Sequence, residues 1–395
     1  MRPSIPLRLV LLAGAHFTID SYSSFFSPLL PLLVAKLHLS LTLVGTLVAL
    51  ASITSSFAQP AFGWLADRMH RPWFVVLGPL VAAVFMSAIG HATSFASLAA
   101  LLMLGGLGVS SFHPQAAVLA SESASRRSLA MSTFVSAGSL GMSMGPLFAV
   151  ALVGAVGVEG LWMASFLGLA TCAVLATQFR RLTPGRRPHA QRPALRELKP
   201  VLRPLTLLYL AVVCRSAVGS GFMTFLPLLL HARGYTVGVG GTVLAVYLLS
   251  GAAGGFFGGW LSDRVGPRRV LVQSYVGAIP LYFVFLFVPG LVGIAALVVG
   301  SFVLMGSLPV NVVLGQELSP RHSSTISSLL MGAAWGVGSL LIGPVGALAD
   351  ARGLVTALAA LTALLVGGLL CVMSLPSPRL EAPMVELAQP GAAGT

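Results

Sequence analysis

Charge is scarce in this chain. Only 8% of its 395 residues are Asp, Glu, Lys or Arg, against roughly 25% in an ordinary soluble domain. So few charges cannot cover a water-exposed surface. Lysine is nearly missing: Lys36 and Lys199 are the only two, and neither follows a glycine-rich turn. The Gly-x-x-x-x-Gly-Lys-[Ser/Thr] phosphate loop is absent, which argues against ATP hydrolysis. Neither His-Glu-x-x-His nor Gly-x-Ser-x-Gly occurs, so metalloprotease and hydrolase chemistry have no motif behind them. No enzyme activity and no cofactor are expected. Cys172, Cys214 and Cys371 are the only cysteines. An odd number in such apolar surroundings makes neither a disulfide framework nor a metal site. The eight histidines are scattered, and Asn311 is the only asparagine.

What is present is apolar: 56% of the residues. Twelve apolar runs reach spanning length, near 8–35, 42–66, 73–90, 95–120, 128–154, 159–179, 204–231, 238–262, 269–289, 291–317, 323–349 and 353–375. They predict an all-α integral membrane protein of twelve transmembrane helices. The first run begins like a signal peptide, with Arg2 and Arg8 before Leu-Val-Leu-Leu, but continues far beyond a usual h-region. It reads as an uncleaved first span. Residues 180–203 hold eight Arg or Lys and four Pro and make the natural linker between two halves. The expected organisation is a six-helix bundle over 1–179, a basic linker over 180–203, a second six-helix bundle over 204–375, and a disordered tail over 376–395.

The net charge of +13 is arranged by side. If the N-terminus is cytoplasmic, cytoplasmic segments hold nineteen of the twenty-three Lys and Arg. The outer loops hold Lys36, Arg233 and Arg352, and Arg215 lies inside a span. That is the positive-inside pattern, which puts both termini in the cytoplasm of a multi-pass protein of the cell (inner) membrane. The basic charge therefore orients the chain in lipid, and nucleic acid is not expected as a partner.

One signature occurs twice. Gly63-Trp64-Leu65-Ala66-Asp67-Arg68 recurs as Gly259-Trp260-Leu261-Ser262-Asp263-Arg264, 196 positions later. Pro31 answers to Pro227, Glu122-x-x-x-Arg126 to Glu317-x-x-x-Arg321, and Gly145-Pro146 to Gly343-Pro344. A half-chain repeat in a very apolar protein suggests two similar bundles with a site between them.

The doubled Gly-x-x-x-Asp-Arg signature, between spans two and three and between spans eight and nine, resembles the hallmark loop of the major facilitator superfamily. The first copy departs mildly, with Met69-His70 where the pattern prefers a later glycine. Gly138, Gly141, Gly145 and Pro146 in span five resemble that superfamily's antiporter motif. Finer features are similar to the fosmidomycin-resistance group of efflux transporters: His16-Phe17-Thr18-Ile19-Asp20, Phe112-His113-Pro114, Arg215-Ser216, Thr224-Phe225-Leu226-Pro227 and Val313-Leu314-Gly315-Gln316-Glu317. The resemblance implies two pseudo-symmetric six-helix bundles, with spans one, four, seven and ten lining a central cavity.

Polar residues fall on those four spans: His16 and Asp20, His113 and Gln115, Arg215, and Asn311. Intramembrane ionisable residues are costly and usually face a wet interior or a partner. His16 and Asp20 are four apart and share a helix face. Arg215 shifted back by 196 falls beside Asp20, so an Asp20–Arg215 pair across the cavity is expected, either coupling transport or only neutralising two buried charges. His113 precedes Pro114, which removes a backbone donor and can kink the helix; its imidazole suits proton relay or a place in the core. Asp20, His16, His113 and Arg215 are the proton-coupling candidates. With Gln115 and Asn311 they are also the substrate-binding candidates, the last two serving equally to pin helices. Tyr247 and Trp335 read as packing residues. Asp67, Arg68, Asp263, Arg264, Glu122, Arg126, Glu317 and Arg321 are candidates for a cytoplasmic gate, with Glu122 and Glu317 as partners for the arginines. Gly251, Gly255 and Gly259 form a small-residue ridge in span eight that lets helices approach closely.

These readings converge on a secondary transporter working by alternating access: a proton-driven antiporter exporting small amphipathic or anionic compounds. A symporter importing a small organic acid would use the same residues, and a membrane sensor on the same fold is a third reading. The expected partners are the lipid bilayer, a small-molecule substrate and protons, with the chain a monomer.

Overall fold

The computed structural model describes residues 6–66, 68–69, 71–123, 127–182 and 195–376. Asp67 and Arg126, among the gate candidates, lie outside the described residues, as do 183–194 of the linker and the tail from 377. Among the described residues, eleven helices are long and apolar enough to cross a membrane: Leu41–Ala66, Trp73–His91, Phe95–Ser121, Leu129–Val156, Glu159–Thr177, Glu197–Ala232, Val237–Val265, Pro267–Phe287, Leu291–Leu318, Thr325–Arg352 and Leu354–Met373. They are spans two to twelve of the sequence reading. The first run is present as two helices, Leu7–Ser23 and Phe26–Leu37. Pro28 explains the break: it cannot donate to the Ser24 carbonyl, and its ring crowds that carbonyl. Pro114 behaves differently, since Phe95–Ser121 runs through it as one helix.

Local signals set the helix starts. Ser40 caps span two by accepting from Leu43 N–H at 3.2 Å. Ser94 and Ser97 form a reciprocal capping box at the start of span four. Gly266 stands at φ +89° immediately before Pro267, the first residue of span nine. That conformation is costly for a residue with a Cβ, which gives a physical reason for glycine in the second copy of the repeated loop. Gly266→Ala is expected to cost about 1–3 kcal/mol, read as a lower Tm in detergent; an unchanged Tm would show that this turn relaxes freely.

Glycines set the closest helix contacts. Gly141 lies on the Phe17 backbone, and Gly145 on Ser21 and Ser24, so the span-five glycine run is a bed for span one. In the second half of span eight the tightest positions are Gly251, Gly254 and Gly258, the last two against the backbone of Phe302 and Gly306 in span ten. Gly255 and Gly259 make only ordinary contacts. The ridge therefore follows 251/254/258 rather than the expected 251/255/259, because a helical face advances by 3.6 residues per turn, not by four.

The halves touch along one side. Span two meets span eleven, span five meets span eight, and Phe26–Leu37 meets span seven. Gly45 packs on Ile342, Gly346 on Leu41, and Ser52 Oγ donates to the Gly336 carbonyl at 3.4 Å. At the far end, Gln59–Ala66 has no buried residue, and Trp64, Phe256 and Trp260 are exposed. Among the described residues, the bundles are thus closed on the charge-poor face and parted on the face carrying the basic loops.

Candidate functional site

The first half brings three sequence-predicted residues together. Asp20 Oδ2 lies 3.1 Å from His16 Nε2, and Asp20 Oδ1 lies 3.4 Å from His113 Nε2. The helical spacing of four places His16 over Asp20 on span one. Span four delivers His113, whose ring meets that of His16 edge-on, centroids 5.0 Å apart. Both span-one residues are 7% exposed. The three donor atoms lie within 4.8 Å of one another, the spread of a small-cation site. Phe134 stacks on His16 with centroids 4.0 Å apart, and Gly138 sits so close that a Cβ there would fall 2.6 Å from Asp20 Oδ2. Span five therefore roofs the triad.

The hydrogen bonding fixes where protons are. His16 Nδ1 lies 2.8 Å from the Phe134 carbonyl oxygen, which can only accept, so Nδ1 carries a hydrogen. In a neutral imidazole Nε2 then presents a lone pair. A lone pair facing an ionised carboxylate at 3.1 Å repels it. One further proton must sit between them, on His16 as imidazolium or on Asp20 as the acid.

The expected Asp20–Arg215 pair is not formed. Both Asp20 oxygens are engaged by histidines of their own half, and among the described residues no acid pairs with Arg215. Arg215 Nη1 points at the Met305 sulfur at 3.5 Å, and its guanidinium carbon lies 5.4 Å from the Trp335 ring centre. Trp335 thus packs on the charge itself. Tyr247 bonds Tyr282 hydroxyl to hydroxyl at 3.1 Å, in keeping with its packing role. Asn311 is buried with neither amide atom bonded. Gln115 is spent elsewhere: its oxygen accepts from Val75 N–H and its nitrogen donates to the Arg71 carbonyl, both at 3.3 Å. Of its two readings, the geometry is that of a pin holding the start of span three.

Among the described residues, no ion pair joins one gate candidate to another. Arg68 lies over Trp64, 3.4 Å from the ring centre, and Arg264 over Trp260 at 3.7 Å. Glu122 faces Arg8 at 3.9 Å rather than Arg68. No ion pair joins Asp263, Glu317 or Arg321 to a partner among the described residues. The contact that closes the opposite face was not anticipated. Asp350, near the end of span eleven, accepts from Leu41 N–H at 2.9 Å, Thr42 N–H at 2.8 Å and Thr42 Oγ1–H at 2.6 Å. It caps the start of span two across the two halves. A faint signal existed: Leu348-Ala349-Asp350 repeats Leu65-Ala66-Asp67.

The model of the Major Facilitator Superfamily matches residues 12–344. The chain belongs to that superfamily. It is 29% identical over 384 residues to the MFS-type transporter YfnC of Bacillus subtilis (strain 168), covering 93% of this chain and 92% of that protein. It is 26% identical over 346 residues to the fosmidomycin resistance protein of Escherichia coli (strain K12), covering 85% and 84%. Among solved structures, a bacterial homolog of the human lysosomal transporter Spinster, inward-facing and unoccupied, superposes with TM-score 0.82 at 18% identity, covering 96% of this chain and all of that one. The superfamily fold is two bundles of membrane helices, and this member is a multi-pass membrane transporter, not an enzyme.

Proposed function

We propose that this transporter is a proton-coupled antiporter that exports small amphipathic or anionic compounds from the cytoplasm by alternating access. The observation that carries the reading is the His16–Asp20–His113 triad. It is a buried polar cluster that needs a proton to hold its present arrangement, and span five is packed directly on it. Release of that proton turns the His16–Asp20 contact from attraction to repulsion. His16 must then leave Asp20 or Phe134, and either move disturbs the seat of span one on span five. Proton loss is thereby tied to helix movement. The span-five glycines supply the smooth bed on which such movement occurs, and relatives that include a fosmidomycin resistance protein favour export over uptake.

With the basic loops in the cytoplasm, the closed face is the outer one, and this arrangement is inward-open. The cytoplasmic gate of Asp67, Arg68, Asp263, Arg264, Glu122, Arg126, Glu317 and Arg321 would then be the latch of the opposite state. The test is flux in proteoliposomes. An imposed pH gradient, acid outside the cytoplasmic-facing compartment, should drive a panel of candidate compounds outward. Proton movement should appear as a pH change that depends on the compound. Transport of every panel member without proton movement would overturn the coupling.

A further inference from the structure

Arg215 carries a buried charge with little to offset it. It is 1% exposed, pairs with no acid among the described residues, and its Nε has no hydrogen-bond partner. Its one polar contact at Nη1 is a thioether sulfur, a weak acceptor. Asn311 is likewise 1% exposed with both amide atoms unbonded. The two belong to spans that pack on each other. Met305, the residue touching Arg215, lies six positions before Asn311 on span ten, about 9 Å along a helix. Buried polar groups are normally satisfied, and an unmade bond costs about 1–3 kcal/mol, more for a charge. Two such lapses in one region point to a missing partner. Asp20 cannot be that partner here, because both its oxygens are held by histidines.

The donors and acceptors left unbonded state the partner's chemistry. A guanidinium offers only donors, in a planar fork that fits an oxyanion bidentately. Asn311 offers a donor and an acceptor, which suits a hydroxyl or amide beside that oxyanion. Trp335 provides a flat apolar face next to the charge. We propose that Arg215 and Asn311 form an oxyanion subsite in the second half, taking the carboxylate or phosphonate of a small organic acid with a hydrogen-bonding group beside it. The inference rests on the exporter reading only in making that anion the cargo. The binding itself requires no gradient.

The probe is salicylate, with salicylamide as its uncharged counterpart, added to purified protein in nanodiscs and followed by the rise in Tm and by calorimetry. Salicylate should bind saturably and at least tenfold tighter than salicylamide. Benzoate and phenylphosphonate separate a planar from a tetrahedral oxyanion; binding of either supports the subsite, and binding of neither overturns it. Arg215→Gln and Arg215→Lys should each weaken salicylate at least tenfold. The unliganded Arg215→Gln protein should melt no lower than wild type, since it no longer buries a lone charge. A purely structural arginine would lower Tm and leave the salicylate affinity of any folded fraction unchanged. Equal binding of salicylate and salicylamide by wild type overturns the proposal without recourse to a variant. All arms are equilibrium measurements, so a failure of proton coupling leaves them readable.

Discussion

Asp20→Asn is expected to reduce pH-gradient-driven flux to the level of empty liposomes while leaving the protein folded. The two halves of that expectation have one cause. An asparagine nitrogen can donate to His16 Nε2, so the contact to span one and the His16 bond to Phe134 both survive. What disappears is the need for a proton, because the amide supplies the hydrogen permanently. The triad then never becomes repulsive, and the helix seat no longer answers to pH. In wild type the sign follows from the same contact. The His16–Asp20 arrangement is attractive only while a proton is shared between the two. Site-directed labels on span one and span five should therefore show the present packing favoured at low pH in wild type and pH-independent in Asp20→Asn. Wild-type gradient-driven flux by the folded variant would remove Asp20 from the mechanism.

Asp350→Ala should shift the conformational balance in the other direction, by opening the charge-poor face. Three hydrogen bonds from Leu41 and Thr42 are lost together, and with them a carboxylate at a helix N-terminus. A capping residue is worth about 1 kcal/mol, which changes a two-state population about fivefold. The site is exposed, so salt should weaken the latch further. Asp350→Asn keeps one acceptor oxygen and should give a smaller shift. Spin labels at positions 93 and 352, on a cysteine-free background, report the distance across this face. Identical distance distributions in wild type and Asp350→Ala would show that helix packing alone holds it shut.

The membrane architecture was legible in the sequence because spanning helices write themselves as long apolar runs, and because the repeated loop fixes where each half begins its third helix. The His16–Asp20 contact was legible for a similar reason: a spacing of four is a statement about one helix face. The partners of that pair were harder. Phe134 takes part through its backbone carbonyl, which leaves no mark in side-chain chemistry. Arg215 was placed opposite Asp20 by the 196-residue offset, but an offset fixes depth along symmetry-related helices and not the direction a side chain faces. Asp20 turns toward spans four and five of its own bundle. Gln115, polar and on span four, could serve a substrate or pin helices; its amide completes backbone bonds left open at the start of span three. Asp350 resembled any acid at a loop, since a cap is recognisable only when the helix it caps is in place.

The separation of Asp20 from Arg215 has an electrical consequence. A site whose acid and base neutralise each other presents little net charge to the membrane field, whichever way it faces. On the proposed reading each half keeps its own charge, one answered by a proton and the other by an anionic guest. A proton carried inward and a monoanion carried outward both move positive current into the cell. Each charge is worth about 2.3 kcal/mol per 100 mV, so two supply about 4.6 kcal/mol, roughly three decades of concentration. Such a carrier would be driven by voltage even with no difference in pH across the bilayer, and its cargo would be expelled most strongly from cells with the most negative interior.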